Sequence, residues 1–338
     1  MDIQKIALNN TICRIIVGSQ CYGTALPTSD TDIRGIVIMP REFYLGTYFN
    51  FEQTKVSSEE DTEFMDIDKF FKLCSDNNPN VLEWLFVDSE HIILDSKYYQ
   101  IMRENKDKFL SRNAYYRFGG YAHAQLLRLE RHKKWIDNPP EKPKLEDYEL
   151  VSTLQLENST LKFLRSLKRE ERDKIIRKDF SKQLKQEIEF HDDMENWKKF
   201  LDWQKNRNKN RIVLEQKIGY DSKHGMHLIR LLEEGIELLV DSKISLPRSN
   251  AEVLQSIRNA EWSYESLIKY ANKLKVSLDN AHSYCAENNV LPKHPNIKEL
   301  NDLLISIKEQ YWKDTESVEK EFEHPPYNHP GIIGYGRR

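Results

Sequence analysis

Thr11–Met39, TICRIIVGSQCYGTALPTSDTDIRGIVIM, is the stretch on which the fold of this chain turns. Thr11–Val17 (TICRIIV) is rich in β-branched residues and stops at Gly18, so it reads as a short strand. A polar turn dense in Gly, Pro, Ser and Asp follows. Asp32–Met39 (DIRGIVIM) then reads as a second strand, ended before Pro40. Asp61–Met65 (DTEFM) is a weaker third strand.

The chemistry lies between the first two strands. In Gly18–Gly35, GSQCYGTALPTSDTDIRG, the alternation of Asp30, Asp32 and Arg34 places their side chains on one face if this part is extended. Neighbouring carboxylates repel unless a cation neutralises them, and Mg2+ with its hard oxygen ligands suits the task. Arg34 cannot ligate a metal, but it can meet a phosphate or neutralise one of the acids. A turn at Gly18 can aim backbone N–H groups and the Ser19 hydroxyl at a phosphate, and Gly23 permits a second tight turn. Phosphate donors and metal carboxylates would then converge at one end of the sheet. The terminal Gly-Lys-Ser/Thr of a phosphate-binding P-loop is absent, and so is the G-x-G-x-x-G of a dinucleotide fold. The blander reading is a polar turn beside a strand end.

Metal-assisted phosphoryl transfer needs a further acid near the attacking group. Asp61, Glu63, Asp66 and Asp68 are the candidates. Asp61 and Glu63 share a strand face. Asp66 is better placed as the N-cap of a helix carrying Ile67, Phe70, Phe71 and Cys74, and Asp68 falls in its first turn. Glu63 is the preferred third acid.

Beyond this region helical periodicity takes over. Asn77-Asn78-Pro79 breaks the first helix, and Asn80 with Glu83 suggests a capping box for a short helix over Val81–Phe86. From about Asn105 to residue 285 the pattern is nearly all helical, interrupted at Asp137–Pro143, Asn206–Asn210 and Leu246–Asn250. We divide the chain into a core over 1–100, a helical region over 101–290 and a Pro/Gly-rich, irregular C-terminal arm over 291–338. Asp221 is placed to cap a helix running from Ser222 to about Val240, on which Lys223, His227, Arg230 and Glu234 form one polar stripe. That stripe is either a phosphate-binding surface facing the acidic cleft or a solvated face stabilised by an Arg230–Glu234 pair. Arg117 and Tyr121 are placed to face the same cleft. Arg165–Lys185, with 9 Lys/Arg against 4 Asp/Glu, and Gln204–Arg211, with 4 basic residues and no acid, suit a nucleic-acid backbone or plain solvation. Trp203 is a base-stacking candidate, although Trp is more often core.

Composition sets the outer bounds. The chain has 338 residues, 39% apolar and 31% charged, with 14 Phe, 16 Tyr and 6 Trp, which excludes a disordered or fibrous protein. No apolar run approaches a membrane span, and Met1–Lys5 lacks a secretory signal pattern. Four cysteines without metal or redox spacing point to a reducing cytoplasm. The formal net charge of −3 conceals an asymmetry: residues 1–100 carry 8 basic and 16 acidic side chains, the remainder 43 and 38. An acidic metal-binding front and a basic polyanion-binding back would produce such a split.

With Gly-Ser followed by Asp-x-Asp, the chain resembles the DNA polymerase beta-type nucleotidyltransferase superfamily, and more closely the predicted nucleotidyltransferase family associated with RNA repair. The narrower resemblance is carried by GSQCYGTALPTSDTDIRG at 18–35, DTEFMDIDKFFKL at 61–73, NPNVLEWLF at 78–86 and GYAHAQLLRL at 120–129. It continues through GYDSKHGMHLIRLL at 219–232, LPRSNAEVLQSIRNAEWSYESL at 246–267 and LPKHP at 291–295. It implies an α+β fold, a small mixed sheet flanked by helices with a mostly helical domain behind it. It implies that Gly18 and Ser19 hold nucleotide phosphates, that Asp30 and Asp32 ligate two Mg2+ ions, and that Glu63 completes the metal site. The reaction implied moves a nucleoside monophosphate from an NTP to an acceptor hydroxyl, an RNA or tRNA end, and releases pyrophosphate. Arg34 and the Lys223, His227 and Arg230 stripe would balance phosphate charge. Two departures stand out: Ala260 occupies a position where the family pattern suggests Gly, and the third acid is Glu rather than Asp. Alternative readings are a protein adenylyltransferase, a small-molecule (antibiotic) nucleotidyltransferase and a non-catalytic RNA-binding module. No membrane partner is expected, and the sequence specifies no protein partner.

Overall fold

In the computed structural model the structure describes residues 2–27, 29–56, 61–150, 158–168, 170–171, 181–207 and 209–316. Helix α1 (Ile3–Asn9), capped by the Asp2 side chain, leads into a five-stranded mixed sheet. Its strands are β1 (Thr11–Val17), β2 (Asp32–Val37), β3 (Gln53–Val56), β4 (Thr62–Asp66) and β5 (Ile92–Asp95), in the order β3-β4-β2-β1-β5. β2 and β4 run parallel; the other pairings are antiparallel. The three expected strands are present, with small shifts at their ends. β3 and β5 are additions on the two edges.

The two faces of the sheet bury different sets. Cys13, Ile15 and Val17 of β1 pair in register with Ile36, Arg34 and Asp32 of β2, so these side chains share a face with Glu63 and Met65 of β4. That face packs into a hydrophobic cluster that continues through the helices. On the other face Val37, Met39 and Phe64 pack with Ala7, Val56 and Phe43, the last from α2 (Glu42–Leu45). Gly35 lies under the Phe64 ring, where an added Cβ would come within 2.4 Å of it.

Helix α3 (Ile67–Ser75) starts as expected, with the Asp66 carboxylate accepting from the Asp68 N–H at 2.8 Å. The following short helix begins earlier than expected. Asn78, not Asn80, is the cap, Pro79 takes the first helical position, and α4 spans Pro79–Leu82 before a 3-10 turn over Glu83–Phe86. Helix α5 (Lys97–Glu104) precedes the long α6 (Asn113–Asp137). Further along are α7 (Asn158–Ser166), α8 (Ser181–Asn206), α9 (Lys209–Ile218), α10 (Ser222–Asp241), α11 (Ala251–Arg258) and α12 (Tyr264–Glu287). α10 lies against α6, α11 and α12 and is the spine of the helical half.

The expectation of an irregular arm from Leu291 is corrected over part of its length. Ile297–Glu316 is a helix, α13, because Leu300, Ile307, Tyr311 and Trp312 form a buried stripe at helical spacing. The Pro, Gly and His residues that dominate the composition lie on either side of it; residues 317–338 are outside the described residues. α13 returns to the beginning of the chain. The Tyr311 hydroxyl donates to Asn10 Oδ1 at 2.8 Å, and Trp312 Nε1–H donates to the Met39 carbonyl at 3.0 Å. All four cysteines are buried and unpaired. No described helix is long and apolar enough to cross a membrane.

Candidate active site

The end of β1 and the start of β2 meet where Val17 pairs with Asp32. Gly18 then turns the chain with φ +70°, and an added Cβ would lie 2.6 Å from Asp32 Oδ2. Both facts demand glycine: the backbone is left-handed and the carboxylate lies against it. The turn is closed by Tyr22 N–H to Gly18 O (3.0 Å) and Thr24 N–H to Ser19 O (2.9 Å), with Gly23 also at positive φ. The convergence of the glycine-serine turn with a strand carboxylate is therefore present.

These residues open onto a cavity of about 640 Å³. Gly18, Ser19 and Asp32 line it from the sheet side, and Lys223, His227 and Arg230 line it from α10. Six of the nine residues singled out from the sequence thus share one cavity. Arg117, Tyr121, Gln125 and Arg128 of α6 and Arg258 of α11 complete the wall. Arg117 and Tyr121 were anticipated; Arg128 and Arg258 were not, although both sit inside the motifs GYAHAQLLRL and IRN. Arg258 reaches back to the sheet, donating from Nη1 to the Thr24 carbonyl at 2.6 Å and from Nη2 to Ser29 Oγ at 3.1 Å.

The acids are arranged differently from the expectation. Asp30 is exposed, precedes β2 and does not line the cavity. Glu63 pairs in register with Arg34 and likewise lies outside the lining. Asp61 is the acid close enough to Asp32 for each carboxyl to shift the other's ionisation. Burial first, and then Asp61, pushes the Asp32 carboxyl above its usual range, while Asp32 and the nearby Arg34 hold Asp61 below it. Two carboxyls in this relation share a proton, or else a cation stands in for it. The donor set, hard oxygens from β2 and from the turn before β4, suits Mg2+. Asp30, Asp32 and Glu63 are not within mutual ligand distance; among the described residues, the three His/Cys/Asp/Glu side chains that are close enough are His132, Asp221 and His224.

Arg34 neutralises acid rather than reaching the cavity. Its Nη1 donates to the Ile33 carbonyl (2.8 Å) and the Asp61 carbonyl (2.5 Å), and Nη2 lies 3.4 Å from Asp61 Oδ2 and 3.9 Å from Asp32 Oδ1.

The α10 stripe combines parts of both readings: Lys223, His227 and Arg230 line the cavity, and the Arg230–Glu234 pair is present but buried. Arg230 is 3% exposed, Glu83 4% and Glu234 0%, so the stripe is not a solvated face. Arg230 Nη1 donates to Glu83 Oε2 at 3.1 Å and to Glu234 at 2.8–2.9 Å, and the guanidinium lies 4.1 Å from the Tyr22 ring centroid. The Tyr22 hydroxyl donates to Glu83 at 2.8–2.9 Å. One cation between two carboxylates leaves no surplus positive charge for a phosphate. Burial pushes Glu83 up to about 7, against the opposing pull of Arg230. His227 is held well below its ordinary value by burial and by Arg230, Lys223, His224 and Arg258, so it meets a ligand as a neutral imidazole. Lys223 acts electrostatically on Asp32. Lys223, Arg128 and Arg258 thus carry the cavity's positive charge, while Arg117 is ion-paired with Asp76.

Several cations of the remaining basic segments are engaged within the chain, Lys182 with Glu149 among them. Arg165 bridges Asp192 and Glu195, and Arg207 pairs with Glu215. Trp203 packs among His132, Trp135 and Phe200 with Arg207 over its ring, which is a core role. Residues 169 and 172–180, and the side chains of 208–211, lie outside the described residues.

Residues 2–145 match the family model described as RlaP: RNA repair pathway DNA polymerase beta family. Over that span, somewhat less than half of the chain, the sequence is similar to this family. The match bears out the resemblance drawn from 18–35, 61–73, 78–86 and 120–129, and it takes in Gly18, Ser19, Asp32, Asp61 and the α6 wall of the cavity. The description places that family in an RNA repair pathway and among DNA polymerase beta-type proteins. No curated protein and no solved structure matched the chain.

Proposed function

We propose that the protein is a divalent-metal-dependent nucleotidyltransferase that moves a nucleoside monophosphate from an NTP to the hydroxyl of a polyanionic acceptor, an RNA end. The observation that carries this reading is the abutment of Gly18 and Ser19 on Asp32 at the mouth of a cavity whose far wall is cationic. Asp32 and Asp61 would hold the cation, and Asp30 and Glu63 are the neighbouring carboxylates it could recruit. Bound Mg2+ supplies a lowered pKa for the attacking hydroxyl and charge neutralisation at the leaving pyrophosphate.

The chain's own groups do the rest. The Ser19 hydroxyl and the turn it begins offer donors to a phosphate oxygen. Lys223, Arg128 and Arg258 offset the charge that spreads over the phosphates as the bond to the leaving group lengthens. Arg34 keeps Asp61 ionised from outside the cavity, so the acid pair is ready to accept a cation. His227, neutral at pH 7, contributes a hydrogen bond rather than a charge.

The test supplies each α-labelled ribonucleotide with Mg2+ and a pool of nicked, truncated and intact RNAs together with protein substrates. Label on RNA ends that requires metal and disappears in Asp32→Ala and Asp61→Ala supports the proposal. Undiminished labelling in both variants refutes it. Label on protein would redirect the acceptor.

A further inference from the structure

Behind the cavity wall, where α6 ends and α10 begins, lies a second cluster of ligand-type side chains. A ring nitrogen of His132 on α6, a carboxylate oxygen of Asp221 and a ring nitrogen of His224 on α10 all lie within 4.8 Å of one another. The histidine rings are 5.3 Å apart, edge to face, and His224 Nε2 is 3.6 Å from Asp221 Oδ2. We propose that His132, His224 and Asp221 form a binding site for one divalent transition-metal ion of the zinc class, separate from the Asp32–Asp61 pair. It does not depend on the nucleotidyltransferase reading.

Three independent features favour a metal there. First, His132 Nδ1 is buried without a hydrogen-bond partner, so the ring carries an unmet polar atom beside the cluster. Second, His224 Nδ1 lies 2.7 Å from Gln125 Oε1. An N–H donated to that amide oxygen leaves Nε2 as the lone-pair nitrogen, and it faces a carboxylate oxygen. Metal-bound histidines are commonly oriented by such an outer partner. Third, Asp221 is anchored by its own helix: it accepts from the Lys223 N–H (2.9 Å) and the His224 N–H (3.2 Å) through Oδ1, which leaves Oδ2 toward His224.

Two imidazoles and one carboxylate suit zinc-class ions and are a poor set for Mg2+, which prefers oxygen. Ligands about a tetrahedral zinc ion lie roughly 3.4 Å apart, given bonds of about 2.1 Å, so the cluster must contract by somewhat more than 1 Å at its widest. The metal would tie the last turns of α6 to the first turn of α10, and thereby fix Gln125 and Lys223 in the cavity wall.

The test uses the full chain, stripped with a chelator, with Zn2+ titrated against a chromogenic indicator in a large excess of Mg2+. One Zn2+ per chain is expected, with a rise in thermal midpoint. Co2+ in its place should give the visible absorption of a four-coordinate site. His132→Gln and His224→Gln should each weaken binding on the order of a hundredfold or more, while Asp32→Ala leaves it unchanged. Circular dichroism establishes that each variant is folded; should His132→Gln not fold, His224→Gln and the wild-type Co2+ spectrum decide. The proposal is overturned if the wild-type chain takes up no stoichiometric Zn2+. It is equally overturned if folded histidine variants bind as tightly as wild type, or if binding vanishes with Asp32→Ala or yields to Mg2+.

Discussion

Replacing Arg230 with Met should cost the fold several kcal/mol without acting first through a ligand. In the native chain one guanidinium serves Glu83 and Glu234, and all three residues are almost wholly buried. Once it is removed, two carboxyls share a dry pocket, and at least one must carry a proton at pH 7. Protonating an ordinary carboxyl of pKa about 4.3 at that pH costs about 3.7 kcal/mol, at 1.36 kcal/mol per unit. Losing the cation beneath the Tyr22 ring adds about 1 kcal/mol. The total, about 4–5 kcal/mol, agrees with the roughly 3–5 kcal/mol lost when a buried pair is broken from one side.

Urea unfolding followed by tryptophan fluorescence at pH 7.0 and 5.5 measures this cost directly. The Arg230→Met variant should itself gain about 2 kcal/mol at the lower pH, since 1.5 units of protonation cost are removed; its deficit should shrink by less than that, because burial puts native Glu83 at about 7 and it takes up a proton over the same range. Adding Glu83→Gln and Glu234→Gln should recover most of the lost stability, because no buried charge then lacks a partner. If instead Arg230→Met unfolds within about 1 kcal/mol of wild type yet loses nucleotide affinity, the guanidinium is a ligand group and the buried-triad account is wrong.

Other expectations follow from single positions. Gly18→Ala should destabilise by about 1–2 kcal/mol for the left-handed backbone alone; by displacing Asp32 it should also abolish labelling of RNA, and a variant of wild-type activity would contradict the close approach. Ala260→Gly should raise stability by about 1 kcal/mol, because Ala260 sits at φ +62° after α11, with its N–H on the Ile257 carbonyl and the Glu261 N–H on the Ser256 carbonyl; thermal unfolding that is unchanged or lowered would count against this. Burial raises Asp66 to about 6, so its ionisation opposes folding above that pH, and the penalty is relieved as pH falls from 6 toward 3.8. Tyr44→Phe removes the 2.5 Å hydrogen bond that eases this ionisation; it should cost about 1–2 kcal/mol at pH 7 and less at pH 5, and a pH-independent loss would refute the coupling. Asp61→Asn should reduce metal-dependent transfer more than Glu63→Gln does, and the reverse order of rates would restore Glu63 as the third acid.

What could be read from the chain, and what could not, divides along a physical line. Gly18, Asp32, the Asp66 cap and the Asp221 cap are local features, fixed by a few neighbouring residues, and each stands where sequence reasoning placed it. β3 and β5 escaped notice because four-residue edge strands such as QTKV carry almost no periodicity and are defined by the partner they pair with. The choice between Asp61 and Glu63 depends on the parallel register of β4 on β2, which sequence alternation cannot supply. Arg230 looked like half of an exposed i, i+4 pair because its other partner, Glu83, is 147 residues away. Helix α13 was hidden by averaging a clean apolar stripe with the Pro- and Gly-rich residues around it.

The cavity draws its charge from both halves of the chain, and this bears on specificity. Residues 2–145 contain the Gly18–Ser19 turn, Asp32, Asp61 and the Arg117 and Arg128 wall, so under the proposed reaction the groups that would hold a metal and a nucleotide lie within the matched span. Lys223 and Arg258 come from beyond it, on α10 and α11, and Arg258 is hydrogen-bonded to Thr24 and Ser29 in the very turn that leads to Asp32. A polyanion lying between Asp32 and these cations would contact elements some 190 residues or more apart in sequence. The buried Glu83–Arg230–Glu234 triad joins the same two regions, with Glu83 from the sheet half and the other two from α10. Under the proposed reaction the sheet end would determine which phosphorus can react, while α10 and α11 would determine which anion is held against it. Sequence change confined to α10 and α11 would alter the acceptor before it altered the chemistry.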